Sequence, residues 1–390
     1  MVEWKYMWEV TTWDKKFTGV DKSMQPRVIK YHYYLANELS ELENSDGDIR
    51  ILYTTDKIAF VNSADVEGNI SEGEIVAIPW GGNVSIKYYN GKFVTADNRI
   101  ATSNNKEYLN NKYLFYWMSS RKDEISKFYR GAGIQHPSMF KVLTMLIPIP
   151  SLSEQNRIVG ILDTFTASID NLKEQIAQRR KQYEYYRDEL LDLEGKEGVE
   201  MKTLGEVCEL IRGPFGGALK KEIFVSNGYA IYEQQHAIYG VWDFRYFIDE
   251  NKFNQMKRFK VNAGDILMSC SGTMGKTSIV PFNYKEGIIN QALLKLSPKD
   301  YISNKYLKLF MDSQLFQDVL KGKTAGGAIQ NVASVSVLKD IRIPLPSLSE
   351  QQRIVSILDT FEASIQNLEA QLKQREKQYE YYRNKLLTFE

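Results

Sequence analysis

The chain has 390 residues, a formal net charge of +1, 43% hydrophobic and 25% charged residues, two cysteines and three histidines. That length allows two or three domains with their own cores, in the composition range of globular proteins. No run of 18 apolar residues occurs, Met1–Lys5 lacks a signal-peptide pattern, and Cys208, Cys270, His32, His136 and His236 show no metal-ligand spacing. Neither a membrane span nor a zinc site is expected, and a reducing cytoplasm is the expected compartment. A net charge of only +1 argues on its face against nucleic acid, but the excess of Lys and Arg falls in residues 195–343, a mild hint the other way.

Residues 1–147 read as a mixed globular segment. The apolar runs Ile49–Thr54, Glu74–Pro79 and Phe93–Ala96 are punctuated by Gly and Asn as strands are, and Tyr108–Leu114 opens a helix-like stretch. Residues 148–194 then change character. Pro-x-Pro precedes Ser151-x-x-Glu154, the pattern of a capping box, in which the serine oxygen takes an orphan amide while the glutamate reaches back. Behind it Ile158, Leu162, Phe165, Ile169, Leu172, Ile176, Arg179, Tyr183, Tyr186 and Leu190 follow a 4-3-4-3 spacing, which predicts a coiled-coil seam on a helix roughly 60 Å long.

Residues 195–343 form a second globular segment, with a strand-like run over Ile288–Leu296. Its stretch from Cys270 to Thr277 resembles a phosphate-binding loop but has Cys270 where the first glycine is needed. It is followed by Ser278–Pro281, which reads as a strand entering a turn, so a tight hairpin presenting Ser269, Ser271, Thr273 and Lys276 is expected instead. Residues 344–390 repeat the helical segment. From Pro148 and Pro344 onward, 33 of 47 positions are identical at an offset of 196, Ser347-x-x-Glu350 included. The seam recurs as Ile354, Leu358, Phe361, Ile365, Leu368, Leu372, Arg375, Tyr379, Tyr382 and Leu386.

A period this long means duplicated domains. The globular segments carry the same anchors: Val2–Lys5 answers Val199–Lys202, Gly73–Val76 answers Gly264–Leu267, Tyr108–Leu114 answers Tyr301–Leu307, and Ile134-Gln135 answers Ile329-Gln330. Between anchors the residues differ almost completely, which is how a kept scaffold acquires a new binding specificity. The two helices most simply pair with each other, antiparallel for two duplicated units, although each could instead pack on its own domain. The identical blocks 181–187 and 377–383 hold three tyrosines within four residues, enough ring surface for a partner as well as for core packing.

The duplication, the capped helices and the run Pro-x-Pro-Ser-Leu-Ser-Glu-Gln-x-Arg-Ile-Val resemble the specificity subunit of a type I restriction-modification system, over essentially the whole chain. The Gly264–Lys276 run adds to the likeness, while the first segment carries Trp80-Gly81-Gly82-Asn83-Val84 in place of that hairpin. The resemblance implies an α+β fold with two mixed target-recognition domains, residues 1–147 and 195–343. Between and after them would come two conserved helices, 148–194 and 344–390, forming an antiparallel coiled coil with pseudo-twofold symmetry. It implies a non-catalytic subunit that reads a split, asymmetric duplex DNA target, each domain taking one half-site, with two methyltransferase subunits and a restriction subunit as partners. No cofactor is expected on this chain; S-adenosylmethionine and ATP would serve the partners.

Candidate DNA-reading residues are Trp80, Asn83, Lys87, Asn98, Arg99 and Gln135 in the first domain, with Arg130 and Lys92 as phosphate contacts. In the second they are Arg212, Gln234, Gln235, His236, Ser269, Ser271, Thr273, Lys276, Asn290 and Gln291. They are polar groups in expected loops, and amides and guanidinium pair well with purine edges. For partner docking, Arg157 and Arg353 at the helix starts and the rings of Tyr185 and Tyr381 are the candidates. The rival readings are a coiled-coil scaffold that binds no DNA and a nucleotide hydrolase using Gly275-Lys276-Thr277.

Overall fold

The computed structural model describes residues 2–215, 217–323 and 333–389, and the Ile329-Gln330 anchor lies outside them. The chain divides into two compact units, Met1–Lys173 with Gln371–Glu390, and Glu174–Ala370.

The first unit contains strands β1 (Glu3–Tyr6), β2 (Thr11–Trp13), β3 (Ile49–Leu52), β4 (Ile58–Val61), β5 (Ser71–Pro79), β6 (Lys87–Thr95), β7 (Asn98–Ser103), β8 (Tyr129–Arg130), β9 (His136–Pro137) and β10 (Leu146–Ile149). Six of them form one sheet in the order β2-β7-β5-β6-β3-β4. The helix Asn111–Ser120 covers one face; its cap Asn110 accepts from the amides of Lys112 and Tyr113, and it buries Tyr113, Leu114, Tyr116 and Trp117. β1 and β10 pair antiparallel, Glu3 opposite Ile149.

The second unit contains β11 (Glu200–Thr203), β12 (Cys208–Arg212), β13 (Tyr229–Tyr232), β14 (Phe247–Ile248), β15 (Ile266–Ser269), β16 (Thr277–Ile279), β17 (Gly287–Ile289), β18 (Leu293–Pro298) and β19 (Arg342–Leu345). One sheet has the order β12-β18-β15-β16, a second β14-β13-β17, and β11 pairs with β19. The first of these repeats the β2-β7-β5-β6 order of the other unit. The anchors named above occupy matching places: Glu74 lies in β5 and Asp265 immediately before β15, and Tyr113 and Tyr306 donate their hydroxyls to the carbonyls of Pro148 and Pro344. The expected strand Ile288–Leu296 is two strands, because Asn290 turns the chain: its Oδ1 accepts from the Ala292 amide.

Both long helices form, over Leu152–Leu191 and Leu348–Leu386. The capping boxes are only half made. Ser151 and Ser347 accept from the amides of Glu154 and Glu350 as expected, but the two glutamates turn to Arg157 and Arg353. Within the first unit, Phe165 stacks on Tyr382 at 5.3 Å and Lys173 lies 3.9 Å from Glu376. Within the second, Tyr186 meets Phe361 at 5.4 Å and Arg180 pairs with Glu369. The start of each helix therefore lies against the end of the other. Tyr379, Leu386, Leu387 and Phe389 pack into the first unit's core, and Tyr183, Leu190 and Leu191 into the second's.

Candidate nucleic-acid interface

In the first unit the ends of β2, β5 and β7 meet at one edge of the sheet. Trp80 follows β5 and lies between two groups: the Arg99 guanidinium 4.1 Å from its ring centre and the His136 ring at 5.2 Å. The hairpin β8–β9 is fastened to the same loop. The Tyr129 hydroxyl donates to the Pro79 carbonyl, the Gly82 amide donates to the Gln135 carbonyl, and the His136 Nδ1 lies 2.8 Å from the Trp80 carbonyl. Trp80, Asn83, Arg130 and Gln135 are thus brought together, and the last three are exposed.

Four other first-domain assignments are corrected by their surroundings. Arg99 is 4% exposed and holds the loop from beneath, donating to Asp97 and to the Asn98 carbonyl, with Asp14 3.8 Å away. Asn98 is fully buried and donates to the Leu52 carbonyl and Thr95 Oγ1. Lys87 turns toward β3 and the Thr54 carbonyl, into a separate cavity. Lys92 is exposed but pairs with Glu72 in register, at the end of β5 opposite Trp80 and roughly 25 Å from it by strand rise.

In the second unit the hairpin β15–β16 forms as expected, Met268 opposite Thr277. Its loop is set by the Gly275 amide donating to the Ser269 carbonyl and by Gly272 and Gly275 at φ +64° and +73°, values that glycine takes without strain. Gln234 donates to the Ser271 and Thr273 carbonyls, and Gln235 follows it, half-buried. The Cys270 amide donates to the Ala292 carbonyl, and Gly213, next to Arg212, lies so close to Asn290 that a Cβ would sit 1.8 Å from its carbonyl oxygen. Arg212, Gln234, Ser271, Thr273, Asn290 and Gln291 therefore surround one sheet edge, and Thr273, Lys276 and Gln291 are exposed.

Two of the second-domain assignments are corrected. His236 is fully buried: its Nδ1 accepts from the Glu233 amide, its Nε2 lies 3.0 Å from the Asp243 carbonyl, and its ring stacks on Phe244 at 4.8 Å. Ser269 is buried too, its hydroxyl accepting from the Lys276 amide. The Cys270 thiol is pushed up to about 12 by burial, opposed by the Arg212 guanidinium beside it.

Sequence reasoning missed several residues. Ile134, 71% exposed at the β8–β9 tip, and Phe215, 95% exposed three residues past Arg212, put apolar side chains in solvent beside the polar loops; the Pro214-Phe215-Gly-Gly run was the available signal. Gln155 and Gln351, quoted within the repeat motif without a role, are fully buried. Gln155 accepts from the Asn110 amide and donates to the Tyr108 and Pro150 carbonyls; Gln351 does the same with Ser303, Tyr301 and Pro346. At the docking candidates, Arg157 and Arg353 form two-pronged pairs with Glu154 and Glu350, and Tyr185 and Tyr381 are 64% and 59% exposed.

Two α+β units built on one strand order, each gathering different polar loops at a sheet edge, have the architecture of a two-part recognition protein. The family described as Type I restriction modification DNA specificity domain matches residues 28–179 and 196–376. The chain belongs to this specificity-subunit family of type I restriction-modification systems, whose members are in general non-catalytic. A putative type I restriction enzyme specificity subunit from Haemophilus influenzae is 33% identical over 348 residues, 83% of this chain and 85% of that protein. A type I restriction enzyme specificity subunit from Escherichia coli is 32% identical over 295 residues, 71% of this chain and 70% of its own length. The crystal structure of the S subunit of the type I restriction-modification system of M. genitalium shares the fold, with a TM-score of 0.60 at 15% identity over 100% of this chain and 97% of that one. Among the described residues, no helix is long and apolar enough to cross a membrane.

Proposed function

We propose that the two loop clusters read the two halves of a split, non-palindromic duplex DNA target, one cluster each. The observation that carries this is the combination of sameness and difference. The four-strand order and the glutamine clamp recur in both units, while Trp80–Val84 and Cys270–Lys276 share neither sequence nor anchoring. A homodimeric reader would present one loop set twice and select a palindrome; this chain presents two sets. The reading residues are Trp80, Asn83, Arg130 and Gln135 in one cluster, and Arg212, Gln234, Gln235, Ser271, Thr273, Lys276, Asn290 and Gln291 in the other. Their amides and cations suit base edges and phosphates.

The long helices pair antiparallel as a coiled coil in this reading, supported by the Phe165–Tyr382 and Tyr186–Phe361 contacts inside the respective units. Their exposed tyrosines and the Arg157 and Arg353 surfaces dock two methyltransferase subunits, to which the restriction subunit adds. The chain works in the cytoplasm and holds no cofactor; S-adenosylmethionine and ATP are used by the partners. Near-neutral charge fits a protein that shares phosphate contacts with its partners.

The test is to co-express the chain with its neighbouring methyltransferase and map modified adenines. A split motif that appears only with this chain, and of which one half changes when residues 195–343 are exchanged, supports the reading. A stable complex with no new motif overturns it in favour of a scaffold.

A further inference from the structure

Away from the Trp80 loop, the first unit has a cavity of about 400 Å³ bounded by β3, the β3–β4 turn and the start of β6. β6 pairs with β3 only from Phe93 to Thr95, so the Lys87–Asn90 stretch has no strand partner on that side among the described residues. The lining combines cations and rings: Arg50, Lys57 and Lys87 with Tyr53, Phe60 and Tyr89.

The three cations are not equivalent. Lys57 is neutralised by Glu43, which also accepts from the Tyr53 hydroxyl. Arg50 lies over the Phe60 ring at 5.3 Å, and no carboxylate pairs with it among the described residues. Among the described residues Lys87 reaches the Thr54 carbonyl at 3.3 Å, while Asp56, the acid that acts on it, accepts from Ser85. Burial lowers Lys87 to about 8, with Arg50 adding repulsion and Asp56 opposing it. Two partly desolvated cations that repel each other in a ring-lined cavity gain most from a ligand with negative charge at one end and a flat face at the other.

We infer that this cavity binds a nucleotide, its phosphate between Arg50 and Lys87 and its base against the rings of Tyr53, Phe60 and Tyr89. The site is separate from the two sheet-edge clusters and does not depend on their reading DNA. The nucleotide is either free or a unit of a nucleic-acid strand, since both offer the same phosphate and base.

The experiment is calorimetric titration of the full chain with adenosine 5′-monophosphate, with adenosine and inorganic phosphate as separate ligands. The nucleotide is expected to bind at least ten-fold more tightly than either part. Lys87→Met, which keeps the aliphatic stem, and Arg50→Gln, nearer the surface, should each weaken it about ten-fold. Affinity should also fall as pH rises through 8, as Lys87 loses its proton. Displacement of bound nucleotide by a single-stranded oligonucleotide would assign the site to a strand; simultaneous binding would assign it to the free nucleotide. Absence of nucleotide binding at millimolar concentration, or binding indifferent to both substitutions, overturns the inference. An unchanged methylation motif in the same variants shows that DNA reading survives that failure.

Discussion

The Arg99 guanidinium is shared between the face of Trp80, 4.1 Å away, and the buried carboxylate of Asp14, at 3.8 Å. Asp14 also accepts from the Tyr33 hydroxyl and the Ile100 amide, yet burial still raises its pKa from the ordinary aspartate value. Arg99→Met removes the balancing charge and should cost about 3–5 kcal/mol at pH 8. An acid whose folded pKa lies above its unfolded value holds more protons in the folded state between the two, so stability falls as pH rises through that window. Losing Arg99 extends the window upward. The deficit in urea unfolding should therefore be smaller at pH 5 than at pH 8; an equal deficit at both would disprove the coupling.

Gln155 and Gln351 each satisfy one amide and two carbonyls without access to water. Replacing either by Ala strands buried polar groups and should destabilise its own unit by about 2–3 kcal/mol. Hydrogen exchange reports this locally: the Asn110 amide should lose protection in Gln155→Ala, and the Ser303 amide in Gln351→Ala.

The two glycines of the β15–β16 loop should respond differently to alanine. Both have positive φ, but a Cβ at Gly272 meets open space, whereas at Gly275 it would lie 2.8 Å from Gln317 Oε1 and Leu320 Cδ2. Gly272→Ala should cost about 1 kcal/mol, from backbone strain alone. Gly275→Ala should cost more, about 1–3 kcal/mol, since the side-chain ends of Gln317 and Leu320 must also give way. Gln291→Ala and Gly275→Ala should both relax the half of the methylated motif read by the second unit, and a motif unaltered in both variants would remove this loop cluster from base reading. Loss of one good amide–purine pair is worth about 1–3 kcal/mol of discrimination.

Both thiols should be silent in the native state. Burial pushes Cys208 and Cys270 up to about 12, so at pH 8 neither is thiolate and neither reaches reagent. Labelling with a thiol-specific chromophore should proceed only at the rate of unfolding, and rapid labelling of either cysteine in buffer would contradict the packing.

The helices were legible because a seam sustained over more than four heptads admits few other readings, and a second copy, 33 of 47 positions the same, removed the doubt that one would leave. The half-made capping boxes were not legible. Glu154 can reach Ser151 or Arg157, and only the three-dimensional placement of the arginine decides between them. The hairpin at Ser269–Thr277 followed from its glycines. The break at Asn290 did not, because an apolar run conceals a turn that one side-chain amide closes. At the sheet edges, polarity brought together true neighbours such as Trp80 and Gln135, or Gln234 and Ser271. It misplaced Asn98, His236 and Ser269, since the groups that recognise a base edge are the same ones that satisfy a buried carbonyl or amide. Burial, not residue type, separates the two uses.

Each globular segment begins and ends in a four-residue ladder, β1 with β10 and β11 with β19. The two ends of each globular segment are thus zipped together before the helix begins, and the ladder fixes the distance between them. A lineage can replace the loops between such a ladder and the recurring anchors, such as Tyr113 with Asn110 or Tyr306 with Ser303, without lengthening, shortening or retuning the frame that receives them. New addresses can then arise by exchange of a cassette rather than by stepwise mutation, and the ladder is the plug that makes the cassettes interchangeable.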